Sequence, residues 1–132
     1  MTGKIFRSTL AASLTVLLAS LLVITGCLYT YFGTVREQQL QTELTLAAAA
    51  VEADGADYLA RVRDTADRLT WVASDGTVLY DTRTDTQPME NHGQREEIRE
   101  AFTGGSGSSA RYSETLTEKM LYQAVRLTDG SV

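Results

Sequence analysis

The chain has 132 residues, a formal net charge of −5, one cysteine and one histidine. An acidic chain has little attraction for nucleic acid, so we exclude a nucleic-acid partner. A single cysteine excludes an internal disulfide, and a single histidine excludes metal sites built on two histidines.

The first element is an uncharged, largely apolar stretch of 23 residues, Leu10–Phe32. As a helix it spans roughly 35 Å, enough to cross a hydrocarbon core of about 30 Å. Lys4 and Arg7 precede it, while all 17 acidic residues follow it. Because positive flanks stay cytoplasmic, we predict a cytoplasmic segment 1–9, a transmembrane helix 10–33 and an extracellular remainder, 34–132.

Two alternatives remain open for this stretch. A cleaved secretory signal has a shorter apolar core that ends in small residues, whereas this one ends in Leu-Tyr-Thr-Tyr-Phe. Ile24-Thr25-Gly26-Cys27 resembles a bacterial lipobox, which would make Cys27 a lipidated N-terminus. Apolar and aromatic residues continue after Cys27, which favours an uncleaved helix.

The helical pattern continues outside the membrane, so residues 34–66 are predicted to be an extracellular helical region. One helix is expected to end near Asp54-Gly55, and a second to cover Ala56 to about Asp64. The first helix is expected to pack either on its own domain or on the same helix of a second subunit. Its apolar stripe comprises Leu40, Leu44, Ala47, Ala48 and Val51.

The period then changes to alternation, which indicates a β-hairpin over residues 68–82. Ser74-Asp75-Gly76-Thr77 supplies the turn, with Gly76 able to take positive φ. Residues 81–93 are predicted to be a loop. Gln94–Phe102 is predicted to be a short helix that buries Ile98, Ala101 and Phe102, with Glu96, Glu97 and Glu100 facing solvent.

Gly104 is expected to stop that helix, and the Gly/Ser-rich segment 104–109 is predicted to be a loop. Two strands, Ala110–Leu116 and Met120–Leu127, follow it and are joined at Thr117-Glu118. Thr128-Asp129-Gly130-Ser131 predicts another turn, after which Val132 would start a fifth strand.

These elements predict an α+β fold in which residues 67–132 form a PAS/Cache-like antiparallel sheet. The fifth strand is central in that architecture and lies beside the first. We therefore expect the 132 residues to be a fragment of a longer protein, with the sheet truncated at the start of its fifth strand.

No catalytic constellation is recognisable in the sequence. His92 lacks a nucleophile-elbow sequence, and Cys27 lies in the predicted membrane helix. The Gly/Ser-rich segment precedes a predicted strand rather than a helix and carries no phosphate-loop lysine. We expect neither a metal nor a cofactor in this segment.

One polar cluster is a candidate ligand site, made of Asp81, His92, Arg95, Arg111 and Tyr112. Arginine forks suit carboxylate or phosphate, so a small polar ligand could be held between the short helix and the sheet. Helix capping and loop anchoring explain the same residues without a ligand. A pH-sensing role for His92 is a third possibility, because histidine changes charge near neutrality.

Three stretches resemble the extracellular sensor region of bacterial membrane sensor histidine kinases, most closely the phosphate-regulon type of Gram-positive bacteria. They are Trp71–Asp81, Met89–Ile98 and, in the last part of the chain, Arg111–Leu116 with Met120–Val125. The resemblance implies a bacterial cell membrane protein, a homodimer and a cytoplasmic kinase that uses ATP and Mg²⁺. It implies no ligand and no catalytic residue within this segment.

The resemblance implies that an extracellular stimulus changes the shape or dimer packing of the outer domain. The membrane helix would pass the change to the kinase, which phosphorylates a response regulator. Alternatives with the same outer domain are a membrane-anchored binding module, such as a lipoprotein, and the input domain of a chemoreceptor or cyclase.

Overall fold

The computed structural model describes residues 2–63, 67–86, 89–112 and 119–132, and the chain is α+β. It forms two compact units, the first ending at Gln38 and the second covering Gln39–Val132. The elements in chain order are α1 (Thr2–Asp54), α2 (Ala56–Arg61), β1 (Thr70–Val72), β2 (Val78–Asp81), α3 (Glu96–Gly104), β3 (Ser106–Tyr112) and β4 (Lys119–Val125).

The first unit consists of the N-terminal part of α1, whose apolar side chains are exposed. Its hydroxyl groups turn back to the helix backbone: Thr15 Oγ1 donates to the carbonyl of Ala11 at 2.9 Å, and Thr30 Oγ1 to that of Gly26 at 3.0 Å. Such bonds satisfy polar side chains in apolar surroundings. In the described part of the chain, one helix is long and apolar enough to cross a membrane, with a mean hydropathy of 2.2 over 18 residues.

In the second unit, the end of α1 contributes to the domain's own core. Ala47 and Val51 are buried, and Val51 clusters with Leu59 of α2 and with Leu127. Gly55, with φ of 61°, separates the two helices. The predicted stripe therefore packs on its own domain, and the predicted end of the first helix is confirmed at Asp54. The predicted second helix is shorter and ends at Arg61; Asp64 lies outside the described residues.

β1 and β2 form the predicted antiparallel hairpin. Thr70 faces Asp81 and Trp71 faces Tyr80, after which the register shifts to pair Val72 with Val78. The turn is confirmed at Gly76, with φ of 88°. A Cβ there would collide with the Asn91 side chain, so this turn requires glycine for both conformation and space.

The structure differs from the sequence prediction at the end of α3 and in residues 104–109. Helix α3 extends to Gly104, and Gly105, with φ of 88°, ends it in the left-handed conformation. Residues 106–109 belong to β3 rather than to a loop. A Cβ at Gly107 would collide with the Glu97 carbonyl oxygen, so this glycine permits α3 to lie against β3.

The predicted exposure of Glu97 is also wrong. Its side chain is only 3% exposed and accepts hydrogen bonds from β3. Ile98 and Ala101 are buried and Phe102 is half-buried, as predicted. Helix α3 is amphipathic, but its buried face also carries one carboxylate.

β3 and β4 form a second antiparallel hairpin, in register from Ser106–Val125 to Tyr112–Lys119. The predicted strand end at Leu116 and the joint at Thr117-Glu118 lie outside the described residues. Leu127 lies beyond β4, where its N–H donates to the carbonyl of Ser131 at 2.8 Å. Gly130, with φ of 87°, confirms the predicted turn.

The two hairpins are separate two-stranded sheets in the described part of the chain. Val132 reaches β1 on the side away from β2: Val72 N–H donates to the Val132 carbonyl at 2.7 Å, and Val132 N–H donates back at 2.8 Å. This reciprocal pair is the antiparallel pattern. A core cluster of Val72, Ile98, Ala101, Ala124 and Val132 connects the hairpins with α3.

Candidate functional site

The second unit contains a cavity of about 440 Å³. Apolar side chains of α1, β1 and β4 line it, including Leu44, Val51, Leu69 and Val125. Polar side chains line it from the residues before β1, from the residues after β2 and from the segment that leads into α3. The charged and polar residues that line it are Glu43, Asp67, Arg68, Thr70, Arg83, Thr84, His92, Arg95, Glu97 and Gln123.

Asp81 organises the polar groups at the end of the hairpin. One oxygen, Oδ2, accepts from Arg68 Nε at 2.8 Å and from Thr70 Oγ1 at 2.7 Å. The other, Oδ1, accepts the backbone N–H groups of Arg83 and Thr84, each at 2.9 Å. The carboxylate is thus occupied by donors of the protein itself, and its role is to fix β1, β2 and the start of the following loop.

The protonation state of Asp81 follows from these contacts. Burial alone raises the pKa of a carboxyl group, but here the bonds from Thr70, Arg83, Arg68 and Thr84 outweigh it, and the pKa of Asp81 lies below its ordinary value. Asp81 is therefore ionised at neutral pH. Its negative charge balances Arg68 at the edge of the cavity.

His92 is 5% exposed and lines the cavity. Its backbone N–H donates to the Gly76 carbonyl at 2.8 Å, which ties the loop to the hairpin turn. Its ring Nδ1 lies 2.7 Å from the Glu90 carbonyl oxygen. A carbonyl only accepts, so Nδ1 carries the proton and Nε2 of the neutral ring presents a lone pair.

Nε2 of His92 is buried and has no hydrogen-bond partner among the residues that the structure describes. Burial, followed by the nearby positive charge of Arg95, lowers the pKa of His92 below its ordinary value. The ring is therefore neutral at pH 7. Buried acceptors are normally satisfied, so the vacant lone pair is the most unusual polar feature of the cavity.

Arg95 precedes α3 in an extended conformation and is half-buried. Its guanidinium group lies near enough to His92 to affect the titration of the ring. The ion pair with Asp81 is formed by Arg68 rather than by Arg95. Asn91 anchors the hairpin turn, because its Nδ2 donates to the Asp75 carbonyl and its Oδ1 accepts the Gly93 N–H. The backbone N–H of Arg95 donates to the His92 carbonyl.

The other two predicted site residues lie elsewhere. Arg111 forms an ion pair with Glu97, and its guanidinium carbon lies 4.7 Å from the ring centroid of Tyr122. Ser109 Oγ also donates to Glu97, at 2.6 Å. Tyr112 is 74% exposed. Of the five predicted residues, His92 and Arg95 line the cavity, whereas Asp81, Arg111 and Tyr112 do not. Asp81 nevertheless lies near enough to His92 to act on it electrostatically, so the structure groups Asp81, His92 and Arg95.

The Glu97–Arg111 pair secures α3 to β3. Burial raises the pKa of Glu97, but the bond from Ser109 and the charge and bond of Arg111 outweigh it and leave the pKa below its ordinary value. This cluster has its hydrogen bonds satisfied within the protein. Its arrangement is that of a structural contact between helix and sheet.

Sequence reasoning missed Arg68 and Thr70. The alternation of β1 contains the signal, because residues 68 and 70 share one face of a strand. The hairpin register then places Thr70 opposite Asp81. Glu97 was missed because its position near the start of a helix is equally typical of an exposed carboxylate.

Within the described residues, no group of three or more histidine, cysteine, aspartate and glutamate side chains is placed to hold a metal ion. Comparisons of the chain with models of protein families, with curated proteins and with solved structures found no match.

Proposed function

We propose that this chain is the signal-input region of a membrane sensor histidine kinase, with α1 as the link between membrane and sensor domain. The observation that carries the proposal is the composition of this helix. Its N-terminal part is apolar enough to cross a membrane, and the same helix supplies Ala47 and Val51 to the core of the second unit. A change in the packing of that core therefore acts directly on a membrane-spanning element.

The proposed orientation is supported by Lys4 and Arg7, because positive flanks favour a cytoplasmic N-terminus, with the residues after the helix outside a bacterial cell. In a homodimer, a stimulus that changes the outer domain would shift the two α1 helices between two arrangements. ATP, Mg²⁺ and the response regulator belong to the cytoplasmic part of such a kinase.

The proposal includes a PAS/Cache-like sheet. Its support is the reciprocal bonding of Val132 and Val72 on the free side of β1, together with the turn that leads from β4 to Val132. A fifth strand that begins at Val132 would lie between β1 and β4 and would join the two hairpins in one sheet, in the order β2, β1, fifth strand, β4, β3. The cavity lining fits this arrangement, because consecutive residues of both strands, 69–72 and 120–125, border it.

Accessibility labelling tests the membrane arrangement. In a Cys27→Ser background, Ser74→Cys places a thiol in the exposed β1–β2 turn and Thr2→Cys places one at the N-terminus. A membrane-impermeant maleimide added to intact cells is expected to label position 74 only, and both positions after permeabilisation. Labelling of position 2 in intact cells would reverse the orientation and contradict the proposal.

The reading frame beyond Val132 tests the kinase assignment. A fifth strand, a second apolar span and a His-Glu-x-x-Arg helix followed by an ATP-binding domain are the expected result. A different output domain would favour a chemoreceptor or cyclase. A stop codon, with incorporation of a lipid analogue that is lost in Cys27→Ser, would replace the proposal with an anchored lipoprotein.

A further inference from the structure

We propose that the cavity of the second unit binds a small oxyanion that also carries an O–H or N–H donor, with the donor directed to His92 Nε2. The proposal rests on the sensor function above and names the chemical class of its stimulus. Hydroxycarboxylates, amino acids and hydrogen phosphate share this chemistry.

The donor requirement comes from the ring of His92. The Glu90 carbonyl fixes the proton on Nδ1, so Nε2 of the neutral ring can only accept. Nε2 is buried and unpartnered among the described residues, and the side chain borders a cavity large enough for a small molecule. A ligand group with an O–H or N–H would satisfy this acceptor, whereas a group that only accepts would leave it unsatisfied.

The requirement for an anion comes from the charges around the ring. Arg95 and Arg68 line the same cavity, and both act electrostatically on His92. Arg68 is bonded to Asp81 through Nε, and a guanidinium group has four further N–H donors arranged as a fork. Of the acidic side chains at or beside the cavity, Asp81 and Glu97 accept hydrogen bonds from donors of the protein. Glu43 and Asp67 also line the cavity and have interactions of their own within the chain.

Binding of matched pairs of anions to the full chain in lipid nanodiscs tests the proposal. Hydrogen phosphate and sulfate at pH 8 have the same charge and shape, but only hydrogen phosphate has an O–H. Glycolate and acetate form the corresponding carboxylate pair. By calorimetry, we expect at least one donor-bearing anion to bind about tenfold or more tightly than its donorless partner. The pair that discriminates identifies phosphate or carboxylate as the anionic group.

Three variants locate the effect. His92→Phe is expected to remove the difference within the discriminating pair, because the acceptor is lost. Arg95→Gln is expected to weaken both members of the pair about tenfold or more, through loss of charge-assisted hydrogen bonds. Arg99→Gln is the matched control, since Arg99 is exposed on α3 and does not line the cavity. If His92→Phe does not fold, the difference in anion affinity between Arg95→Gln and Arg99→Gln still tests the proposal.

Equal affinity for donor-bearing and donorless anions would overturn the proposal, and so would an absence of binding by all four. An Arg95→Gln variant that binds like the native chain would also overturn it. These outcomes are separate from those of the sensor proposal. If no anion binds but maleimide labels position 74 only, the proposed ligand class is wrong and the sensor proposal stands. If an anion binds but position 2 is labelled in intact cells, the proposed orientation is wrong and the ligand class stands.

Discussion

At the residue scale, the second unit depends on a few buried polar groups. Asp81 accepts four hydrogen bonds, two from Arg68 and Thr70 at the start of the hairpin and two from Arg83 and Thr84 in the loop after β2. His92 contributes a backbone donor and a ring donor but retains a vacant acceptor. Asp81 therefore serves stability, and His92 is the residue whose chemistry is left available to a ligand.

Asp81→Ala is expected to lower the free energy of unfolding by about 1–3 kcal/mol, because the backbone N–H groups of Arg83 and Thr84 and the Thr70 hydroxyl lose their common acceptor. Chemical denaturation of the full chain in detergent measures the change. Asp85→Ala, at an exposed position in the same loop, is the control and is expected to change it by less than about 0.5 kcal/mol. Equal effects of the two substitutions would contradict the structural role of Asp81.

The stability of the second unit is expected to fall in two stages on acidification. His92 has a lowered pKa in the folded chain, so the unfolded chain takes up its proton first and stability falls as the pH drops below about 6.5. Asp81 and Glu97 also have lowered pKa values in the folded chain. Their contribution is present above the pKa of the unfolded carboxyl groups, about 4, and is lost as the pH falls further.

Denaturation midpoints measured between pH 8 and pH 3 check this expectation. His92→Phe is expected to remove the first stage and leave the second. If native stability is constant between pH 7 and pH 5, the ring of His92 is not desolvated as the structure indicates.

At the scale of elements, the fit between α3 and β3 depends on a position without a side chain. Gly107→Ala is expected to lower the free energy of unfolding by about 1–3 kcal/mol, because the new methyl group would meet the Glu97 carbonyl. Gly104→Ala is the matched control, since its Cβ would meet open space. Thermal unfolding of both variants measures the difference, and equal stability would mean that α3 does not lie this close to β3.

This contact also shows where the sequence misleads. The glycine and serine residues of the 104–109 segment have the composition of a loop, and local propensity favours a loop. Tertiary packing decides otherwise, because a strand that lies directly beneath a helix needs small residues. The end of α1 at Asp54 and the turns at Gly76 and Gly130 were predictable, since the backbone conformation there depends on local chemistry.

At the scale of the whole molecule, the α+β class and the order of the elements followed from periodicity, because the change from a helical to an alternating pattern is local. A helix long and apolar enough to cross a membrane was predictable from the length and composition of the first stretch. The sequence predicted only part of the grouping of the candidate site residues. The separation of Arg111 from Asp81, His92 and Arg95 depends on which carboxylate each arginine meets, and sequence spacing does not determine that choice.

The bonds between Val72 and Val132 also have a consequence for the order of folding. Each hairpin closes over a short chain segment, but the contact that links β1 to the end of the chain spans 60 residues, as does the bond from Trp71 Nε1 to Ser131 Oγ. Closing so long a loop costs more entropy and is slower than forming either hairpin. During synthesis, the β1–β2 hairpin would therefore keep one edge open until residues 131 and 132 emerge, and the core cluster that includes Val132 would form after the hairpins.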